Sequence, residues 1–144
     1  MTLDTLGTAG GLFALLVFNH FVIDWVFQTH NEAMNKSTNA WWRARHCFIY
    51  ATGFLPLLWA MGLDPWWIGV AWLVLFVSHY FEDTYLPVYL WAKHIRRMPA
   101  VREKGIEGFK EQFQTPLGVV LFITIDQIIH LAFLWVIVAL TVCT

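Results

Sequence analysis

Residues 117–142 read LGVVLFITIDQIIHLAFLWVIVALTV, an apolar run of 26 residues with an aspartate and a histidine in its middle. A helix rising 1.5 Å per residue over this length exceeds the roughly 30 Å hydrocarbon core of a bilayer, so the run predicts a membrane-spanning helix with room to tilt. Asp126 and His130 stand four residues apart and therefore share one helix face. The same pairing occurs in reverse order in two other apolar runs, as His20/Asp24 in NHFVIDWVFQ and His79/Asp83 in SHYFEDTY. An aspartate at mid-bilayer costs roughly 2.5–3.5 kcal/mol, so three uncompensated ones would cost up to about 10 kcal/mol. A metal site shared between helices offsets that cost with the fewest additional groups.

Working outward, the composition is 58% hydrophobic, 17% aromatic and 13% charged over 144 residues, which excludes an ordinary soluble domain. Apolar runs near 6–28, 46–62, 66–86 and 117–142 predict four spans, and the remaining segments 29–45 and 87–116 are loops. Pro56 lies inside the second run and predicts a kink, while Gly62, Asp64 and Pro65 predict a tight turn that makes spans two and three a hairpin. All nine Lys and Arg residues fall in the two long loops. The positive-inside rule then places both loops in the cytoplasm and both termini outside, in a bacterial inner membrane. The N-terminus lacks the basic stretch of a cleaved signal peptide, so the first run is expected to remain as a helix. Trp41, Trp42, Trp59, Trp66, Trp67 and Trp91 lie near span ends, as interfacial anchors do. Ile106, Phe109 and Phe113, interspersed with lysines and glutamates, read either as an amphipathic helix on the cytoplasmic surface or as a solvated connector. Cys47 and Cys143 fall on opposite sides of the membrane in this topology, so no disulfide between them is expected. The fold class expected is all-α: a single polytopic domain over 1–144, a four-transmembrane-helix bundle with a cytoplasmic-surface amphipathic helix.

Depth then gathers the polar groups. Asp24 and His20 lie about 6 and 12 Å from the cytoplasmic end of span one, and Asp126 and His130 about 14 and 20 Å into span four. His79 and Asp83 close span three and His46 opens span two. Carboxylates facing lipid would be prohibitive, so these side chains are expected to face the bundle interior. The expected catalytic and metal-binding set is His20, Asp24, His79, Asp83, Asp126 and His130, with His46 as a further metal ligand. Gln28, Gln127, Arg43 and Arg45 are expected to orient those ligands or contact substrate. Imidazole with carboxylate suits Zn²⁺, Mn²⁺ or Fe²⁺, and the number of donors leaves room for two ions. Glu82 is expected at the membrane interface, and His30 and His94 in solvent.

At these residues the chain resembles a family of small bacterial and phage integral membrane proteins of unknown function. That family is marked by an HxxxDFxxQ element, a histidine opening the next helix, an HxxxD and a terminal DQxxH. Here they stand as His20 to Gln28, His46, His79 to Asp83 and Asp126 to His130, with Trp25 in place of the usual Phe. The likeness covers nearly the whole chain, and it extends to membrane-bound metal-dependent hydrolases, whose intramembrane His/Asp elements are similar. The resemblance implies the site rather than a reaction. A rim of Arg43, Arg45, Arg96 and Arg97 beside that site suits anionic head groups, so hydrolysis of a phosphoester on a lipid or polyprenyl substrate in the cytoplasmic leaflet is expected. Membrane lipids are the expected partners. A homo-oligomer is compatible with the Gly10-Gly11 pair, and nucleic acid is not expected. Two alternatives stand beside it: a proton or divalent-cation transporter or channel subunit, and a structural protein whose pairs staple helices.

Overall fold

The computed structural model of the protein describes residues 3–142, and side chains over 7–139. Cys143 lies outside the described residues. Every element among these residues is helical: α1 (Leu3–Phe21), α2 (His30–Asn35), α3 (Ala40–Gly53), α4 (Leu55–Ala60), α5 (Pro65–Glu82), α6 (Leu86–Leu90), α7 (Pro99–Lys104), α8 (Ile106–Phe113) and α9 (Pro116–Val142). Two π-helical turns, Val22–Val26 after α1 and Trp91–Ile95 after α6, widen the backbone locally.

The helix boundaries follow from local chemistry. Thr29 and Glu32 form a reciprocal capping box that starts α2, with Thr29 N–H donating to Glu32 Oε2 at 2.8 Å. Asn39 caps α3 by accepting from the Trp41 and Trp42 amides. Gly62 turns α4 into α5 with φ of 73°, and Gly105 separates α7 from α8 with φ of 62°, both in the region that a side chain disfavours.

Four of these elements pack as an antiparallel bundle. Phe13 meets Trp135 while His20 meets Gln127, so α1 and α9 run in opposite directions. Likewise His46 faces Asp83 and Thr52 faces Trp72, so α3 and α5 are antiparallel. One core, containing Leu16, Phe54, Leu58, Leu75, Leu134 and Ile137, fills the end of the bundle near the termini. A smaller core of Val88, Ala92, Val101, Phe109 and Phe113 joins α6, α7 and α8 to the start of α9. The polar residues lie between the two, as the order along α9 makes plain: Leu121 to Ile129, then His130, then Leu131 to Val138.

The expectation of four spans is corrected to two helices, among the described residues, long and apolar enough to cross a membrane, over Gly7–Val26 and Pro116–Ala139. The second run does not form one continuous helix. The chain breaks at Phe54, two residues before Pro56, giving helices of 14 and 6 residues where a kink was expected. The third stops at Glu82, so its 18 residues rise about 27 Å, short of the bilayer core. The amphipathic segment is also modified. Phe109 and Phe113 are buried against the chain itself, leaving only Ile106 of that face exposed. Gly108 lets α8 lie directly on the Ala100 carbonyl, where any Cβ would collide with backbone.

Candidate metal centre

Each functional side chain comes from a helix end or an irregularity near one. Asp24 sits in the π-helical turn after α1, His46 in the second turn of α3, His79 in the last turn of α5, and Asp83 caps that helix. π-Turns inside helices are frequent at functional sites because the extra residue re-aims the side chains on either side. Here His20 and Asp24, one turn apart in sequence, both meet Gln127, but only Asp24 also reaches His46 and His79.

Four ligand-type atoms converge. His46 Nε2 lies 2.9 Å from Asp24 Oδ1, 3.0 Å from His79 Nε2 and 3.4 Å from Asp83 Oδ2. His79 Nε2 lies 3.6 Å from Asp24 Oδ1 and 3.4 Å from Asp83 Oδ2. All four side chains are buried. Donors around a tetrahedral ion with arms of about 2.0–2.1 Å stand roughly 3.3–3.4 Å apart, and the five separations here bracket that edge. Two imidazole nitrogens 3.0 Å apart can share only one proton, and two carboxylates beside them repel each other. Such a set can hold a cation. A second group, His79, Glu82 and His130, shares a histidine with the first.

A positive charge already enters from the side. Lys36 Nζ lies 2.9 Å from Asp83 Oδ1, 3.2 Å from Asp24 Oδ1 and 3.4 Å from His46 Nε2. Burial disfavours the Lys36 ammonium, but the Asp83 and Asp24 carboxylates outweigh it and raise its pKa above the ordinary lysine value. Arg43 holds the connector that carries Lys36, donating from Nη1 to the Lys36 carbonyl at 2.9 Å and to the Ser37 carbonyl at 3.3 Å, with its guanidinium stacked over Tyr80. Arg45 pairs with Glu32 at 3.4 Å. The Glu32 side chain is covered, which raises its pKa, yet the Thr29 hydroxyl and amide and then Arg45 reverse this and hold it below the ordinary carboxylate value. Arg43 and Arg45, expected to orient ligands or contact substrate, both brace the α2–α3 segment that carries Lys36.

The remaining expected residues fall around the four. His20 lies outside both ligand groups, because both its ring nitrogens are engaged. Nε2–H donates to Gln127 Oε1 at 2.9 Å, which leaves Nδ1 to accept from the Tyr50 hydroxyl at 2.9 Å. Gln127 in turn donates from Nε2 toward Asp24 Oδ2 at 3.5 Å, so this chain orients a ligand. Gln28 Nε2 lies 3.2 Å from each ring nitrogen of His46. Asp126 is also outside both groups. Its Oδ2 is 3.7 Å from His130 Nδ1, which donates instead to the Asp126 backbone carbonyl at 2.8 Å. Glu82, expected at the interface, is buried inside with Oε2 3.4 Å from His130 Nε2. His30 and His94 are exposed. Cys47 is buried, its Sγ 4.0 Å from Asp83 Oδ2.

Three participants were missed by sequence reasoning, and two had a signal. Glu82 is three residues from His79, and Tyr50 four from His46, each on the face of its ligand. Lys36 had none, because its place depends on how the 36–39 connector folds back.

A cleft of about 330 Å³ opens beside the cluster. Lys36, Asp83 and Asp126 form its polar end, and Tyr85, Phe109, Phe113 and Phe122 an aromatic wall, with Lys110 also lining it.

Over residues 12–144 the chain matches the model of a family described as Protein of unknown function (DUF3307), a range that contains every residue discussed above. That description names no hydrolase. No curated protein and no solved structure matches the chain.

Proposed function

We propose, for a chain that belongs to the DUF3307 family and inherits no reaction from it, that Asp24, His46, His79 and Asp83 form the divalent-metal centre of a membrane-embedded hydrolase. The observation that carries this reading is the five separations from 2.9 to 3.6 Å linking four buried ligand atoms, close to the edge length of a tetrahedral donor shell. Mixed imidazole and carboxylate donors favour Zn²⁺, Mn²⁺ or Fe²⁺.

The membrane setting is supported by an inside-out distribution of side chains. Buried His, Asp and Glu residues occupy the centre, while Phe18, Trp66 and Leu117 are 70, 75 and 80% exposed. A watery surface of that kind would be strongly unfavourable, whereas lipid solvates it. If α1 and α9 cross the bilayer, the antiparallel α3–α4 and α5 lie between the same planes. The exposed Trp41 at one end and Trp59, Trp66 and Trp67 at the other then mark the two interfaces. The gathering of basic charge into the loops supports a cytoplasmic side for the metal centre and its cleft.

The lining of the cleft supports one substrate class. Lys36 at its floor and Lys110 on its wall suit an anionic head group, and the aromatic wall suits an apolar tail. An amphiphilic phosphoester of a lipid or polyprenyl alcohol combines both. A bound divalent ion supplies a Lewis acid for a phosphoryl oxygen and acidifies water. Lys36 holds the anionic oxygens, and Asp126, on the cleft wall, takes the proton from the attacking water. Water oxygen adds to phosphorus, the ester P–O bond breaks, and the proton returns to the departing alcohol oxygen. A transport reading has less support, since the bundle beyond His130 is filled by apolar core.

The test uses detergent-purified full-length protein, elemental analysis and release of inorganic phosphate from short-chain phosphatidic acid and polyprenyl phosphate. His46→Gln is expected to lose the metal of this centre, and activity with it. Full hydrolysis by a metal-stripped preparation, or unchanged metal content in His46→Gln, would sink the reading.

A further inference from the structure

Next to the four-ligand set, His130 Nε2 and Glu82 Oε2 meet with no proton donor between them, beside Asp83 Oδ1, whose nearest cation is the Lys36 ammonium at 2.9 Å on the cleft side. His130 Nδ1 donates to the Asp126 carbonyl at 2.8 Å, so its Nε2 keeps a bare lone pair. That lone pair faces Glu82 Oε2 at 3.4 Å and Asp83 Oδ1 at 3.8 Å. His130, Glu82 and Asp83 are 1, 3 and 4% exposed, and neither His130 Nε2 nor Glu82 Oε1 has a hydrogen-bond partner. Buried acceptors aimed at one another repel, and only a proton or a metal cation between them turns that repulsion into attraction.

We infer that Glu82, His130 and the Oδ1 oxygen of Asp83 form a second divalent-cation subsite, bridged to the first centre through the Asp83 carboxylate. Three observations favour a metal over a proton. First, a histidine whose far N–H is held by a backbone carbonyl is the arrangement that ligating histidines adopt, because it fixes the tautomer and the ring. Second, Glu82 Oε1 has no hydrogen-bond partner, and a cation held by both carboxylate oxygens engages it where a single proton on Oε2 does not. Third, the oxygens of Asp83 divide between the groups, Oδ2 toward His46 and His79 and Oδ1 toward His130. One carboxylate spanning two ions is how sites with ions about 3.5–4 Å apart are built.

His79 stands in both groups, but its Nε2 belongs to the first centre and its Nδ1 is 4.0 Å from Glu82. The shared group is therefore the carboxylate. Lys36 Nζ also touches Asp83 Oδ1, from the cleft side. Its flexible stem and polar connector allow it to yield to substrate or solvent there. Two carboxylates and an imidazole suit Mn²⁺, Fe²⁺ or Zn²⁺, with coordination positions left for a phosphoryl oxygen. The inference rests on the first centre, with which it shares Asp83.

The experiment equilibrates the full chain in detergent against MnCl₂, counts bound manganese and records its electron paramagnetic resonance spectrum. Wild type is expected to bind two equivalents with an exchange-coupled spectrum. Glu82→Gln keeps the side-chain shape and can donate a hydrogen bond to His130, so folding is expected to survive. It should nonetheless lose one equivalent and the coupling, as should His130→Gln, while His46→Gln loses the other equivalent. One equivalent in wild type, unchanged in Glu82→Gln, overturns the second subsite and leaves the first standing. Two equivalents retained by Glu82→Gln overturn it as well, and no bound manganese in wild type overturns both centres.

Discussion

Replacing Lys36 with methionine removes an internal cation from a cluster that contains two buried carboxylates. The Lys36 ammonium contacts Asp83 at 2.9 Å and Asp24 at 3.2 Å, and its side chain is 17% exposed. Breaking a buried ion pair from one side costs about 3–5 kcal/mol, because the partner charge stays buried without compensation. At roughly 2–4 °C per kcal/mol for a chain of this size, the metal-free variant should melt about 6–20 °C below wild type. A bound divalent ion supplies the missing charge to the same carboxylates, so the deficit should shrink to a few degrees in saturating MnCl₂. By linkage, the variant then binds the ion more tightly, with each 1.4 kcal/mol of difference worth about tenfold. Differential scanning fluorimetry in EDTA and in MnCl₂ measures both. The sign of the pH dependence follows from the raised Lys36 pKa. Its contribution is complete below the ordinary lysine value of about 10.4 and is lost only as pH climbs toward the higher folded value. The difference between wild type and variant should therefore stay constant from about pH 6 to 9. An equal loss in EDTA and in MnCl₂ would refute the view that lysine and metal serve the same charges.

Other perturbations probe the supports of the site. Tyr50→Phe deletes the hydroxyl that His20 accepts from, and should weaken metal binding by about tenfold without abolishing it, as measured by competition with a chelating dye. Glu32→Gln should destabilise the chain at neutral pH. Because the folded Glu32 carboxyl titrates below its ordinary value, that difference should fade as pH falls below about 4 and vanish once the carboxyl is protonated in both states, read by urea unfolding. Gly108→Ala drives a methyl into the Ala100 carbonyl and should cost about 1–3 kcal/mol, with faster proteolysis of the α7–α8 segment than of the bundle.

Hydropathy marked the apolar segments that became α1, α3–α4, α5 and α9, but overestimated their continuity. A window average registers Pro56 as one residue, while the backbone registers a lost hydrogen bond and a break at Phe54. The i, i+4 spacing identified helix faces correctly for His79 and Asp83, whose side chains meet at 3.4 Å. For His20, beside the π-turn at Val22–Val26, both ring nitrogens are engaged by Tyr50 and Gln127, and Gln127 links it to Asp24. Glu82 was assigned to the interface although it shares a face with His79. Arg43 and Arg45 were assigned to substrate because loop charge has no visible partner in a sequence.

From the sequence alone came the helical class, the polar residues set into apolar segments, and the gathering of basic charge into two loops. These are local properties, carried by a 3.6-residue period and by composition. The tertiary structure alone decided which atoms converge. It chose Asp24, His46, His79 and Asp83 for one group, placed His20 and Asp126 beside it, and brought Lys36 in from a connector. Distances between 2.9 and 3.6 Å across three helices depend on how those helices pack and where their ends unwind, and no spacing along the chain encodes that.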